Sequence, residues 1–191
     1  MLTALPSLTA ACIGWCIPLA KKKLPLVELV LFGILGALTF GLKFVMSWLP
    51  NIEPVSLFVM LFAVTFGKKS LYPIYVYVAM EILVYGINDW NICYLYIWTL
   101  LALVAWLLRD MKNPLGWALV SAVFGLLFGA LCTPVQFAIG GPGYAVSWWI
   151  SGIPFDVLHC GGNFAMGLLF APFQKLLDKL YTMLKTKAGA R

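Results

Sequence analysis

Three polar side chains in the last third of the chain have the types and the spacing to do chemistry. Asp156, His159 and Asn163 follow one another at i, i+3 and i+7, which places them on one face of a helix. The carboxylate accepts hydrogen bonds, the imidazole donates or accepts, and the amide does both. This face predicts either a site for a polar solute or hydrogen bonds between helices, and the spacing is compatible with both.

No metal-binding or catalytic pattern accompanies this face. Cys160 points away from it and the chain has a single histidine, so we expect no metal ion. No serine or cysteine nucleophile motif adjoins His159, and no glycine loop followed by Lys-Ser or Lys-Thr predicts nucleotide hydrolysis. We predict that the protein is not an enzyme and holds no cofactor. An intramembrane enzyme built on Asp156 and His159 is an alternative.

A second polar pair lies in otherwise apolar sequence. Glu81 shares a helical face with Tyr77 and Tyr85, and Lys43 lies in the first long apolar segment. An ionised carboxylate is costly inside a membrane. Glu81 is therefore expected to pair with Lys43, to bind a solute or to be protonated. A structural pair and a contribution to binding both remain open.

Aromatic residues accompany these polar groups. Trp90, Tyr144 and Trp148 fall near the ends of apolar segments, where aromatic side chains ordinarily form an interfacial belt. Tyr144 and Trp148 also follow a glycine-rich stretch, 140–143, which predicts a loop able to close over a flat ligand and stack on it. The predicted substrate-binding residues are Lys43, Glu81, Trp90, Tyr144, Trp148, Asp156, His159 and Asn163.

The composition indicates which elements position these residues. The chain is 63% hydrophobic and 10% charged, whereas soluble domains carry roughly a quarter charged residues. A membrane-spanning helix needs about 20 mostly apolar residues. We predict an all-α, polytopic membrane bundle of six transmembrane helices. The second predicted span is short, and a re-entrant loop there is an alternative. The predicted spans are 26–49, 54–67, 70–87, 91–108, 115–139 and 147–173.

The positive charges predict the orientation of this bundle. Six crossings place four basic clusters on one side, and the positive-inside rule assigns that side, with both ends of the bundle, to the cytoplasm. Because these residues flank apolar spans, the net charge of +6 does not indicate nucleic-acid binding. The clusters are Lys21–Lys23, Lys68–Lys69, Arg109 with Lys112, and the basic residues from Lys175 to Arg191.

The chain divides into three predicted parts. Residues 1–23 form an apolar N-terminal segment of uncertain role that ends in a lysine triplet. Residues 24–174 form the six-helix membrane domain, and residues 175–191 form a basic cytoplasmic tail. Five cysteines occur without a C-x-x-C pair, and we interpret them as small buried apolar residues.

Polar side chains are concentrated in the predicted outer half of the bundle. A channel needs polar groups through the whole membrane thickness, whereas a cluster at half depth suits a pocket that captures a solute from outside. A small autonomous secondary transporter or channel is an alternative, and it usually shows repeat symmetry, which the sequence lacks. An assembly or scaffold subunit without a ligand is a further alternative.

Small residues recur at every fourth position in two predicted spans. Gly33, Ala37 and Gly41 occupy the first span, and Gly125 and Gly129 the fifth. Such spacing lets a second helix approach closely. Packing inside the bundle accounts for both runs, while docking of the first span against a separate membrane subunit is the alternative.

These features together resemble the substrate-binding (S) component of an energy-coupling factor (ECF) transporter. The resemblance covers about residues 24–178 and depends on six spans with both ends inside and on the Gly33/Ala37/Gly41 run. Residues 49–54 (LPNIEP) and 152–159 (GIPFDVLH) also resemble S-component sequences. In that family an Ala-x-x-x-Ala pattern occupies the first helix, where this chain has two glycines.

The resemblance implies partners and a mechanism. S components lie in the cell membrane of bacteria and archaea, capture a vitamin or vitamin-like ring compound from outside, and dock on a transmembrane coupling subunit with two ATPase subunits. Gly33, Ala37 and Gly41 would then be the partner-docking residues. Mixed charges among Lys43, Glu81 and Asp156 argue against a purely anionic solute.

Overall fold

The computed structural model describes residues 24–189. The predicted N-terminal segment, with its lysine triplet, Cys12 and Cys16, lies outside the described residues. Within them the regular secondary structure is entirely helical, which confirms the all-α prediction for this part. The helices are α1 (Leu26–Met46), α2 (Val55–Phe66), α3 (Leu71–Tyr85), α4 (Asp89–Leu107), α5 (Pro114–Leu126), α6 (Phe128–Gly167) and α7 (Phe170–Gly189), with one 3-10 turn at Gly67–Ser70.

Among the described residues, four helical runs are long and apolar enough to cross a membrane. Two of them are the single helices α1 and α4, and the other two each join consecutive helices. They are Leu26–Met46, Val55–Tyr85, Asp89–Leu107 and Pro114–Gly167. Length and composition therefore indicate a polytopic membrane protein.

The Val55–Tyr85 run is interrupted between α2 and α3. Gly67 has φ 58° and ψ −131°, a conformation that a residue with a Cβ rarely adopts. The chain turns there through Gly67–Ser70 into α3. The short predicted second span is the regular helix α2, and ten of its 12 residues are buried. Because neighbouring helices enclose it, α2 forms the centre of the bundle.

The Pro114–Gly167 run folds back on itself at Gly141. This residue has φ 78° and ψ −176° inside an otherwise helical segment, and Pro142 begins the return. The run therefore consists of a first arm, residues 114–140, and a second arm, residues 142–167. A Cβ on Gly167 would lie 2.6 Å from the Ala118 Cα, so the two arms are antiparallel and in close contact.

The turn at Gly141 changes the predicted boundaries of the fifth and sixth spans. We expected a glycine-rich loop between spans ending at 139 and beginning at 147, but the helical geometry is broken only at Gly141. Tyr144 already belongs to the second arm, and a Cβ on Gly140 would lie 2.5 Å from its Cγ. The stretch is a tight helical corner rather than a loop. The sixth predicted span also ends earlier, at Gly167.

Consecutive helical segments alternate in direction. Glu28 with Lys69 and Lys43 with Glu81 join α1 to α3 at both ends, so these helices are parallel and α2 returns between them. Tyr75 contacts Thr99, at 2.9 Å between hydroxyls, which makes α3 and α4 antiparallel.

The same alternation continues to the first arm. Gln136 donates to Asp89 at 2.9 Å, and the Cys93 thiol donates to the Cys132 carbonyl at 3.9 Å. The first arm is therefore antiparallel to α4, and two ends of the bundle can be distinguished. We call the end with Lys43, Glu53, Glu81, Asp89 and Asp156 the acidic end, and the opposite end, with Lys68, Lys69, Arg109, Lys112 and α7, the basic end.

Helix α7 packs across the basic end. The Tyr181 hydroxyl donates to Glu28 at 2.6 Å, and the Tyr181 ring lies edge-on to Phe66 with centroids 4.8 Å apart. Thr65 donates to Asp178 at 2.7 Å. This helix begins at Phe170, before the predicted start of the tail at Lys175. Glu28 and Tyr181 thus fix α7 to α1.

Candidate functional site

A cleft of about 780 Å³ opens at the acidic end of the bundle. Three parts of the chain form it: the turn before α2, the first two turns of α4, and both arms of the long hairpin. Its size lies within the range of about 300–1,000 Å³ typical of small-molecule sites. The acidic end therefore has space for a ligand of vitamin size.

Aromatic rings form one wall of the cleft. Trp90 from α4 and Trp148 from the second arm lie with ring centroids 5.3 Å apart and planes at 50°. Phe128 stacks behind Trp90 at 6.4 Å and 20°. Trp90 and Tyr144 remain more than 40% exposed, so their rings are available to a ligand. A planar ring is the natural partner of such a wall.

Asp156 forms the polar floor beside this wall. Its Oδ1 accepts a hydrogen bond from the Gly129 backbone N–H at 3.0 Å. The close fit depends on the missing side chain, because a Cβ on Gly129 would lie 2.5 Å from the Asp156 Oδ2. That oxygen is buried and has no hydrogen-bond partner among the described residues. The site thus holds an acceptor that the described residues leave unsatisfied.

His159 lies one turn further along the second arm. Its ring contacts Phe128 with centroids 4.8 Å apart, and the side chain is buried. In the described part of the chain, none of the side-chain hydrogen bonds involves this imidazole. His159 can therefore offer a donor or an acceptor to a molecule in the cleft.

Glu53 closes the opposite side of the cleft. It lies in the turn before α2, and its carboxylate is 3.8 Å from Lys43 Nζ. Its Oε2 is buried without a hydrogen-bond partner within residues 24–189. Burial raises the pKa of Glu53 above its ordinary value, and repulsion from Glu81 adds to this while Lys43 opposes it. Glu53 was not among the site residues predicted from the sequence.

Five of the eight predicted site residues line the cleft. They are Trp90, Tyr144, Trp148, Asp156 and His159. Whether they contact a substrate remains a prediction. The Gly125/Gly129 run predicted close approach of a second helix, and the second arm lies against both glycines. That Gly129 would meet Asp156 in the cleft, and that Phe128 would lie in its wall, was not predicted.

The other three predicted residues lie outside the cleft. Lys43 donates to both carboxylate oxygens of Glu81, at 2.9 and 3.0 Å, so the structural pair is the arrangement present. Lys43 also lies 5.4 Å from the centroid of the Tyr94 ring, which lines the cleft. Lys43 and Glu81 therefore form an ion pair outside the cleft, next to the Tyr94 ring that lines it.

Asn163 joins helices. It is fully buried, and its amide donates to the Ser56 hydroxyl at 3.0 Å and to the Ser121 carbonyl at 3.1 Å. These bonds connect the second arm to α2 and to α5. Of the polar face predicted at i, i+3 and i+7, Asp156 and His159 line the cleft, and Asn163 contributes to packing between helices.

Replacing Glu53 by glutamine is expected to stabilise the fold near neutral pH. The folded state raises the pKa of this carboxyl, so the folded protein holds the proton more tightly, and the free energy of unfolding falls as pH rises through that window. Thermal unfolding of Glu53→Gln should therefore show a gain at about pH 7 that disappears toward about pH 4, near the ordinary glutamate pKa. Asp110→Asn, at the basic end, is the control. A gain that persists at low pH would contradict this account.

Comparison of the chain with protein-family models, with curated proteins and with solved structures found no match. A function for the chain is therefore inferred from the geometry of the bundle and of the cleft.

Proposed function

We propose that this chain is the substrate-capturing membrane subunit of an ECF-type importer, an S component. It takes up a vitamin-like ring compound from outside and delivers it to a module of one transmembrane coupling subunit and two ATPase subunits. The observation that carries the proposal is the cleft at the acidic end, where aromatic rings adjoin an unsatisfied buried acceptor, Asp156 Oδ2. Away from the two ends of the bundle most buried side chains are apolar, and the buried amide of Asn163 is bound to Ser56 and Ser121. This interior suits capture better than conduction.

The proposed topology has six crossings. The Gly67–Ser70 turn and the Gly141 corner each divide one apolar run into two antiparallel segments. Lys68, Lys69 and Arg109 then share the basic end, which the positive-inside rule assigns to the cytoplasm. The cleft accordingly opens to the exterior of a bacterial or archaeal cell membrane, and both ends of the bundle lie inside.

The proposed docking surface is the outward face of α1. Ala37 is exposed, and a Cβ added at Gly33 or Gly41 would meet nothing within 4 Å. Gly36 on the same helix instead faces the bundle, since its Cβ would lie 2.6 Å from the Pro73 carbonyl. Small residues left on the lipid side permit close approach of a partner helix. This placement favours a separate subunit over packing inside the described bundle.

Mass spectrometry of small molecules extracted from the purified protein tests capture. We expect a ring-bearing compound in roughly one-to-one amount, and about tenfold weaker retention, or about 1.4 kcal/mol, in Trp148→Ala. Trp149→Ala is the matched control because Trp149 is adjacent but does not line the cleft. Equal loss in both variants, or no compound in the native protein, would contradict capture.

Docking is tested by co-purification of an ATPase-containing module from the source cell. Gly33→Leu is expected to abolish co-purification while leaving the extracted compound in place, because the added side chain meets no atom of the bundle. Uptake into proteoliposomes without ATPase subunits would instead support an autonomous transporter. Turnover of the extracted compound, lost in His159→Ala without loss of affinity, would support an enzyme.

A further inference from the structure

The charges at the acidic end are unevenly distributed. Among the described residues it contains one lysine, Lys43, and four carboxylates, which are Glu53, Glu81, Asp89 and Asp156. Each charge inside or near a membrane needs a partner of opposite sign or strong hydrogen bonds. The arrangement of these five groups therefore indicates what charge a ligand must bring.

Two of the four carboxylates have side-chain partners outside the cleft. Glu81 accepts two hydrogen bonds from Lys43, at 2.9 and 3.0 Å, and so neutralises that lysine. Asp89 accepts from the Gln136 amide at 2.9 Å. Neither of these carboxylates lines the cleft. The pairing of Lys43 with Glu81 leaves no free cation at this end among the described residues.

The remaining two carboxylates, Glu53 and Asp156, both line the cleft. Asp156 is almost fully buried, since its relative exposure is 6%, and it receives one hydrogen bond, from Gly129. Glu53 has only the distant contact to Lys43 at 3.8 Å. Each has a buried oxygen that accepts no hydrogen bond within residues 24–189. Incomplete pairing of a buried charged group is costly, so each of these carboxylates favours a cation or a hydrogen-bond donor in the cleft.

The aromatic wall also favours a positively charged ligand. Tryptophan and tyrosine faces attract a cation placed within about 6 Å of the ring centroid, and Trp90, Trp148 and Tyr94 line the cleft together. No lysine or arginine is among the described residues that line it. A phosphate or carboxylate group would therefore meet two carboxylates and electron-rich rings, with no lysine or arginine and with His159 as the single basic side chain of the described lining.

We propose that the cleft selects a positively charged ring compound, such as a cationic nitrogen heterocycle or a ring bearing a protonated amine. Glu53, from the turn before α2, and Asp156, from the second arm, bind its charge or its N–H groups, and the aromatic wall of Trp90 and Trp148 contacts its ring. This inference rests on the proposed function, and it narrows the vitamin-like solute to one charge class.

Three bicyclic probes of matched size test the charge preference. They are 1-methylquinolinium, which is a cation, quinoline, which is neutral at about pH 7, and quinoline-2-carboxylate, which is an anion. Binding is measured by equilibrium dialysis against the full chain in nanodiscs of zwitterionic lipid, with empty nanodiscs subtracted. We expect 1-methylquinolinium to bind at least about tenfold more tightly than either of the others.

Conservative variants identify the carboxylates responsible. Glu53→Gln and Asp156→Asn should each weaken 1-methylquinolinium binding by about tenfold or more and change quinoline binding by less than about twofold. Asp89→Asn is the matched control, because this acidic-end carboxylate lies outside the cleft. Glu53→Gln, which is expected to fold well, keeps the test decisive if Asp156→Asn is unstable.

Each outcome has one meaning. Equal or tighter binding of quinoline or of quinoline-2-carboxylate overturns the charge preference and leaves ring capture intact. Unchanged cation binding in both cleft variants also overturns it. If none of the three probes binds and no ring compound is extracted from the native protein, the proposed function itself fails.

Discussion

Replacing Glu81 by leucine is expected to lower the free energy of unfolding by about 3 kcal/mol, because the change leaves Lys43 without its main partner inside the bundle. Lys43 Nζ lies 2.9 and 3.0 Å from the two Glu81 oxygens, whereas Glu53 is 3.8 Å away. Glu81 itself is almost completely buried. Unfolding in mixed micelles titrated with sodium dodecyl sulfate measures the effect.

The double variant Lys43→Met/Glu81→Leu is the matched control. Removing both charges together leaves no unpaired ion, so most of the stability lost in the single variant is expected to return. A double variant no more stable than Glu81→Leu would show that the loss comes from altered packing rather than from the uncompensated lysine.

The second large effect is expected at Gly36, where α1 and α3 are in closest contact. A Cβ at this position would lie 2.6 Å from both the Pro73 carbonyl oxygen and the Val76 Cβ. Gly36→Leu must therefore separate the two helices, and overpacking of this kind costs about 1–3 kcal/mol. Thermal unfolding of the purified protein should show this loss.

Gly33→Leu provides the comparison within the same helix. A Cβ there meets nothing within 4 Å, and leucine favours the helix more than glycine does. Its stability is expected to remain within about 0.5 kcal/mol of the native protein or to rise. Equal destabilisation of the two variants would mean that α1 does not present Gly36 to α3 and Gly33 to the lipid.

The pairing of Lys43 with Glu81 shows how much the sequence predicts about a charged residue in an apolar segment. Both residues are ionisable groups in apolar sequence, and the cost of an unpaired charge in a membrane favours a partner. The sequence left a structural pair and a ligand contact open, because spacing along the chain does not say which helices are neighbours. Contact between α1 and α3 makes them a pair.

The polar face of the second arm shows what helical periodicity does not predict. Asp156 and Asn163 share one side of a helix, but they are seven residues apart, which is about 10 Å along the axis. At the depth of Asn163 the helices α2 and α5 pack against the second arm, and its amide bonds to Ser56 and to Ser121. Helical periodicity predicts direction around the axis and not the depth at which a cavity ends.

Glu53 and Gly129 depend on contacts between distant parts of the chain. The turn that carries Glu53 packs on the second arm, where a Cβ at Gly162 would lie 3.1 Å from the Asn51 carbonyl. The Gly129 backbone N–H donates a hydrogen bond to the Asp156 carboxylate across the hairpin. Glu53 has no local pattern that distinguishes a site residue from a turn residue. The Gly125/Gly129 run predicted close approach of a helix but not which side chain would lie against Gly129, so the sequence did not predict the role of either residue in the site.

Hydropathy and charge placement were sufficient to predict an all-helical chain with membrane-length apolar runs and basic clusters in the connections, because these properties depend on each segment's own burial energy. The folded bundle was required to determine the number of residues in each turn, the separation of Lys43 and Asn163 from the cleft, and the presence of Glu53 and Asp156 in one cleft. These features depend on which helices pack together and at what depth, and that arrangement minimises the energy of the whole bundle rather than of any one segment.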